Sequence, residues 1–350
     1  MGNAMKLFGI SAVALLCLFS CSKENYSGKS VRIKGARSHS GAPVSKTLYS
    51  GVTYTEGSDV YERIDWIEGD DIRLAMQNNE TVSPVFDAAS YSIARIQTPT
   101  SRYSVAGLEP ISGDGHGLFW GNGPHYFWSG YPASATIGDR TVSGTFPSTQ
   151  NLTYHSTNAD VQDYPGDMSL AYMVAGLKTS APQESISLDY YPAMTTFDFT
   201  VGANTSMVIT GFEMETETSG LSENVALCGT FTATFDGNDD MNWTYSASST
   251  GRSITANFSN NITLSTTSKL HFRIFALPLD ITGVTIKFTD NQNVTRSLRL
   301  KANDNWITFP ACVKANINGL LIPGAVWYIN FEGPYVEDWV VNSEVVIGVE

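Results

Sequence analysis

Several things are scarce in this 350-residue chain, and each scarcity narrows its chemistry. There are five histidines, at 39, 116, 125, 155 and 271, and no two of them stand at metal-ligand spacing. The four cysteines, at 17, 21, 228 and 312, form no Cys–His cluster. No G-x-S-x-G, P-loop or H-E-x-x-H stretch occurs. Acidic neighbours such as Asp70-Asp71 and Asp239-Asp240 are adjacent only along the chain. "DGNDDMN" at 236–242 starts like a calcium loop, but Met241 replaces the glycine of its sixth position and Ala247 the glutamate of its twelfth. It reads as a solvated hairpin loop. Basic clusters are missing too: 34 acidic residues outnumber 21 basic ones, for a net charge of −13, which argues against a nucleic-acid partner. These absences predict a protein that is not an enzyme, with no catalytic residues, no metal and no cofactor.

Amphipathic helix patterns are nearly absent after the first twenty residues. Instead, short runs rich in Val, Ile, Thr, Phe and Tyr recur between turn clusters: "SISLDYY", "TTFDFTVG", "SMVITGFEME", "ALCGTFTATF", "KLHFRIFALPL". "GVTIKFTD" and "VTRSLRL" flank "DNQN" as a hairpin. Many short strands with alternating patterning predict an all-β fold of sandwich or barrel type. The polar stretch "TSAPQES", residues 179–185, is the best candidate for a domain boundary. Cys228 and Cys312 each lie in an apolar, strand-like run; they are either a disulfide pair or two buried thiols.

The N-terminal segment has its own logic. Lys6 precedes an uncharged run from Leu7 to Phe19, too short to span a membrane and suited to the apolar region of a secretory signal; Met1 and Met5 are both candidate starts. The run ends "LFSC", which resembles a bacterial lipobox, so Cys21 is the expected lipidation site and the first residue of the exported protein. Residues 1–20 are then a lipoprotein signal peptide. Several acyl chains on one cysteine give a durable anchor, since each buried CH₂ contributes about 0.8 kcal/mol.

"GHGLFWGNGPHYFWSGYP" is dense in aromatic residues. Trp120, Tyr126, Trp128 and Tyr131 are candidate glycan contacts, because aromatic platforms stack on sugars; the competing reading is a strand buried in a sandwich core.

Three stretches together resemble the fimbrillin family, the lipoprotein pilins and pilin-like adhesins of Bacteroidales. They are "SKTLYSGVTYTEGSDVYERIDWIEGDDIRLA" at 45–75, "FWSGYP" at 127–132, and the C-terminal run from "HFRIFALPLDITG" to "WITFPACVKANINGLLIPGAVWYINF". The resemblance implies two tandem β-sandwich domains with transthyretin-like topology, 45–182 and 183–350, preceded by a lipidated N-terminus and removable first strand at 21–44. It also implies type V pilus assembly. The subunit travels as a lipoprotein to the outer membrane and cell surface, a protease removes its first strand, and a C-terminal strand of the next subunit fills the groove. The partners implied are other pilin subunits, the lipid anchor, and a surface ligand if the chain is an adhesin.

The residues can be matched to these steps. "KSVRIKGAR" at 29–37 puts Val31 and Ile33 on one face and Arg32 and Lys34 on the other, as one strand ending at Arg37, the expected site of proteolytic processing. At the far end, Val345, Ile347 and Val349 alternate in "EVVIGVE", the expected donor strand. Stalk, tip and anchor roles all fit the pattern. The alternative is a surface-anchored glycan-binding lipoprotein, resting on the four aromatic residues above.

Overall fold

The computed structural model describes residues 30–38, 48–56, 59–78, 86–97, 104–111, 117–158, 160–216, 226–237, 243–248, 251–302, 305–309, 311, 314–321 and 327–332. Cys21, Cys312, Val345, Ile347 and Val349 lie outside them. The first strands are β1 (Ile33–Ser38), β2 (Leu48–Glu56), β3 (Asp59–Asp65), β4 (Asp71–Gln77), β5 (Asp87–Ile96), β6 (Ser104–Pro110) and β7 (His125–Tyr131). Next come β8 (Thr136–Gly138), β9 (Thr141–Phe146), β10 (Thr149–Leu152), β11 (His155–Asn158), β12 (Val161–Tyr164), β13 (Met173–Thr179) and β14 (Ile186–Pro192). The chain continues with β15 (Thr195–Ala203), β16 (Met207–Thr216), β17 (Gly229–Phe235), β18 (Trp243–Ala247), β19 (Ser253–Phe258), β20 (Ile262–Leu264), β21 (Lys269–Ala276) and β22 (Ile281–Thr282). Last are β23 (Val284–Asp290), β24 (Thr295–Arg299), β25 (Lys301–Ala302), β26 (Asn305–Trp306), β27 (Thr308–Phe309), β28 (Lys314–Leu321) and β29 (Trp327–Glu332). The helical content of the described residues is one turn of 3-10 helix, Met168–Leu170. The all-β expectation holds.

Seven strands close a barrel in the order β1-β14-β13-β7-β4-β5-β6, with β6 pairing back onto β1. Two larger sheets, β10-β19-β16-β23-β24 and β11-β12-β21-β15-β28-β29, supply most of a second core. A smaller sheet, β18-β17-β9-β8, joins that same core. Strand alternation explains the packing. In β21, Leu270, Phe272 and Ile274 are buried in the core while His271 and Arg273, on the opposite face, are only partly buried, so one face is apolar and the other polar. Rings of Phe199, Phe212, Phe272 and Phe288 meet within and across the two large sheets at 4.7–6.1 Å between contacting pairs.

The sheets group residues otherwise than a single cut at 182/183 does. "TSAPQES" does separate β13 from β14, yet both strands lie side by side in the barrel. Conversely β9, β10 and β12 pair with β17, β19 and β21, far down the chain. One excursion ties the halves together: the chain leaves the barrel after β7, contributes β8–β12 to the other sheets, and returns as β13 and β14.

The "DNQN" hairpin forms as read, β23 against β24 in an unbroken register from Thr285↔Arg299 to Thr289↔Thr295. Asp290 closes the turn: Oδ1 accepts from the amides of Gln292 and Val294, and Oδ2 from Arg296. "DGNDDMN" likewise falls between two paired strands, with Phe235 opposite Trp243.

Candidate functional site: the channel of the first strand

β1 is the seal of the barrel. It runs parallel to β14 on one side and antiparallel to β6 on the other. Among the described residues both neighbours are otherwise unpaired on that side, and β1 is the one strand that bridges them. A closed barrel has no strand edges; without β1 the same strands have two.

The channel is apolar at its core. Val31 and Ile33 are buried at 2% and 4% exposure, whereas Arg32 is exposed. Ile33 stands opposite Leu108 of β6 and Ile186 of β14, both buried. Ala36 stands opposite Ala106 and Leu188, and Ser38 opposite Ser104 and Tyr190. Tyr91 and Leu118 line the same cluster. Burying Val31 and Ile33 contributes roughly 1.5–3 kcal/mol each.

The leading end of β1 is gripped separately. The Val31 amide donates to the Leu118 carbonyl at 2.7 Å, and the Leu118 amide donates to the Tyr91 hydroxyl at 2.9 Å. The Arg32 carbonyl accepts from Ile186 N at 2.9 Å. Gly117, at φ +82°, lets this segment approach: a Cβ there would sit 2.7 Å from Tyr91 Oη. Burial pushes the Tyr91 phenol above its ordinary range, so it stays neutral and can accept that bond.

The trailing end abuts an aromatic knot built from the quoted motifs. Trp66, from "IDWIEGDD", meets the edges of Tyr131, from "FWSGYP", and Tyr190, from "SISLDYY". The Trp66 amide donates to Ser104 Oγ at 3.1 Å. Tyr190 Oη lies 2.6 Å from Ser129 Oγ, which itself donates to the Arg73 carbonyl, so the phenol donates. The turn after Trp66 is made by Gly69, at φ +84°, and Asp70, whose carboxylate accepts from Ile67 N.

Two sequence expectations change here. Arg37 does not end the strand: β1 continues through Ser38, and Arg37 pairs with Asp189 and Val105. The glycan platform is corrected outright. Trp120, Tyr126, Trp128 and Tyr131 are 2%, 0%, 0% and 1% exposed. They belong to β7 and its approach, a strand buried on both faces, with Phe127 and Tyr131 in the barrel core and Tyr126 and Trp128 in the second core. A sugar needs an exposed ring face, and these rings offer none. The near-continuous apolar run of "HYFWSGY" is the mark of such two-faced burial.

A second constellation escaped the sequence reading. His271 Nδ1 lies 2.6 Å from Asp163 Oδ1 and its Nε2 2.6 Å from Asp198 Oδ1. Arg273 Nε and Lys314 Nζ close on Asp198 Oδ2 at 2.9 and 2.7 Å. Four strands, β12, β15, β21 and β28, meet in this cluster. Burial favours the neutral imidazole, but the two carboxylates outweigh it and raise His271 to about 9. Burial likewise pushes Asp198 up, but the bond from His271 and the charges of Arg273 and Lys314 hold it well below the carboxylate range. An imidazolium donating from both nitrogens has no lone pair with which to act as a base. Among the described residues no group of three or more His, Cys, Asp or Glu is arranged to hold a metal ion. Cys228 is buried, its Sγ 3.4 Å from the Ser253 carbonyl, and burial raises its thiol.

No family model matches the chain, and no curated protein matches it. Among solved structures it is similar to a candidate cell adhesion protein from Bacteroides uniformis, at 14% identity over 86% of this chain and 98% of that one, TM-score 0.48. It is also similar to a fimbrial assembly protein from Parabacteroides distasonis, at 9% identity over 86% and 96% of the two chains, TM-score 0.37. A third is the tip fimbrial protein Mfa3 from Porphyromonas gingivalis with a C-terminal truncation, at 6% identity over 86% and 98%, TM-score 0.37.

Proposed function

We propose that this chain is a structural subunit or adhesin of a cell-surface pilus of type V, without catalytic activity, that assembles head to tail by donor-strand exchange. The observation that carries the reading is the position of β1: among the described residues one short strand, near the N-terminus, links β6 to β14. Removing it leaves two unpaired edges flanking an apolar channel lined by Leu108, Ala106, Ile186 and Leu188. That is the geometry of β-augmentation, in which an added strand gains main-chain hydrogen bonds and fills pockets with alternate side chains. Each net hydrogen bond contributes about 1 kcal/mol.

In this reading the chain is exported as a lipoprotein anchored through Cys21 and is processed after Arg37. Its channel then accepts Val345, Ile347 and Val349 of the next subunit. A head-to-tail contact that does not close on itself makes a filament. The partners are further pilin subunits and the outer membrane lipid.

The test is limited trypsin digestion of residues 22–350, reading the new N-terminus and the oligomeric state together. The expected result is a cut after Arg37 with SDS-resistant ladders that vanish in the Val345→Asp, Ile347→Asp double variant. A stable monomer with no cut near Arg37 overturns the reading.

A further inference from the structure

β1 carries one residue too many for its neighbours. From Ile33 to Gly35 it advances two residues while β14 advances one, from Ile186 to Ser187. From Ile33 to Ala36 it advances three while β6 advances two, from Leu108 to Ala106. Both ladders are therefore broken at the same place, Lys34–Gly35, the second and third residues of a six-residue strand. A bulge of this kind leaves the extra residue unpaired and interrupts the ladder locally.

The extra residue also changes the phase. Strict alternation from Val31 and Ile33 would bring Gly35 and Arg37 to the buried face. With the bulge, Ala36 takes the register of Ala106 and Leu188, both wholly buried. Arg37 takes the register of Val105 and Asp189, both half-exposed. One inserted residue thus shifts the register of everything after it and splits the strand's hold in two.

We propose that the bulge at Lys34–Gly35 is the release element of β1: it makes the resident strand a deliberately imperfect plug, displaceable once the chain behind it is cut. Before the cut the strand is tethered and cannot diffuse away. After it, the strand is held by two short pieces, residues 30–33 and the run from Gly35 to the cut, rather than by one continuous ladder. Pieces that detach in turn give an incoming strand a foothold, whereas a continuous ladder must open along its whole length.

This rests on the proposed exchange, but its test is built to stand apart from it. A specific protease site placed between residues 39 and 47 nicks the chain whether or not Arg37 is a natural cleavage point. The nicked protein is then mixed with an excess of a labelled synthetic copy of residues 28–38, and replacement of the resident strand is followed by size exclusion and mass spectrometry. Deletion of Lys34 closes both ladders while leaving Ala36 and Arg37 in their present phase; deletion of Gly35 does the same. Either deletion is expected to slow replacement at least tenfold, equivalent to about 1.4 kcal/mol. Equal rates, within twofold, overturn the proposal. Should neither deletion fold, hydrogen exchange on the intact wild-type chain decides. The amides of Ala36–Ser38 are expected to exchange at least tenfold faster than those of Ile186 and Leu188, and equal protection overturns the proposal. A parallel arm with a peptide of residues 343–350 reads the donor: if the copy of residues 28–38 exchanges and this peptide does not, the C-terminal donor is wrong while the role of the bulge stands.

Discussion

The indole of Trp66 stands edge-on to the ring of Tyr131, centroids 5.5 Å apart and planes 79° apart. Sixty-odd residues of chain separate the two, and the contact joins the turn before β4 to the last residue of β7. Trp66 makes the same edge contact with Tyr190 of β14, 5.3 Å away. It therefore fastens the wall of the barrel against which β1 ends. Trp66→Ala is expected to destabilise the protein by about 3–5 kcal/mol, the usual cost of emptying a buried large aromatic site. Trp66→Phe should cost clearly less, since it keeps ring contact with both tyrosines. Urea unfolding midpoints of the two variants check this; equal midpoints would show that the knot is not a fastening.

The aromatic density of "FWSGYP" left a sugar platform and a core strand both open in the sequence; seven successive buried positions decide for the core, and they need the nearly unbroken apolar run that β7 has. The all-β class was legible from period-two patterning, which is local. The closure of the barrel was not. It depends on which edges β1 meets, and the same alternation of Val31 and Ile33 would serve any half-buried strand. The bulge that sets the phase of Arg37 leaves no local mark beyond a Lys-Gly pair. The His271 cluster was equally hidden: Asp163, Asp198 and His271 come from three strands, and no spacing along the chain announces their meeting.

Ile33 is the residue through which β1 holds the barrel shut. It is 4% exposed and opposite Leu108 and Ile186. Ile33→Ala should lower stability by about 2–5 kcal/mol if the site cannot collapse. The loss should be concentrated in the barrel, so proteolysis after residue 37 should quicken while the protection of β15 and β21 amides stays unchanged. Uniform loss of protection across both cores would contradict a local role for the strand.

Gly176 in β13 faces the second core. A Cβ there would lie 2.6–3.0 Å from the ring carbons of Phe235, which is itself buried and stacked on Trp243. The ring has no free end to swing aside, so Gly176→Ala is expected to cost about 1–3 kcal/mol by overpacking. Gly211 in β16 is the control. Its nearest neighbour to an added Cβ is Thr289 Cβ at 3.5 Å, an ordinary contact. Gly211→Ala should be neutral or slightly stabilising, because alanine loses less backbone entropy on folding. Thermal melts of both variants test the pair; a similar loss in each would mean that strand propensity, not the Phe235 contact, decides.

His271 makes stability depend on pH with a predictable sign. Its folded pKa is raised to about 9, above the ordinary value of 6.5. The native state therefore binds its proton more tightly than the unfolded chain. That contribution is complete below about pH 6.5, shrinks as the pH rises, and is gone above about pH 9. Asp198 has the opposite sign: its pKa is depressed, so its contribution is present above the ordinary carboxylate range and lost only in strong acid. Between roughly pH 5 and 6.5 both are in full force. His271→Gln removes the titrating charge but keeps a polar side chain between Asp163 and Asp198. The variant should be less stable than the wild type by on the order of 2 kcal/mol at pH 6. The gap should narrow as the pH approaches 9, because the wild type loses the same charge by titration. The measurement is the difference in urea midpoint between the two proteins from pH 5 to 10. A constant difference across that range would show that His271 holds β12, β15 and β21 together by shape and hydrogen bonding, not by its charge.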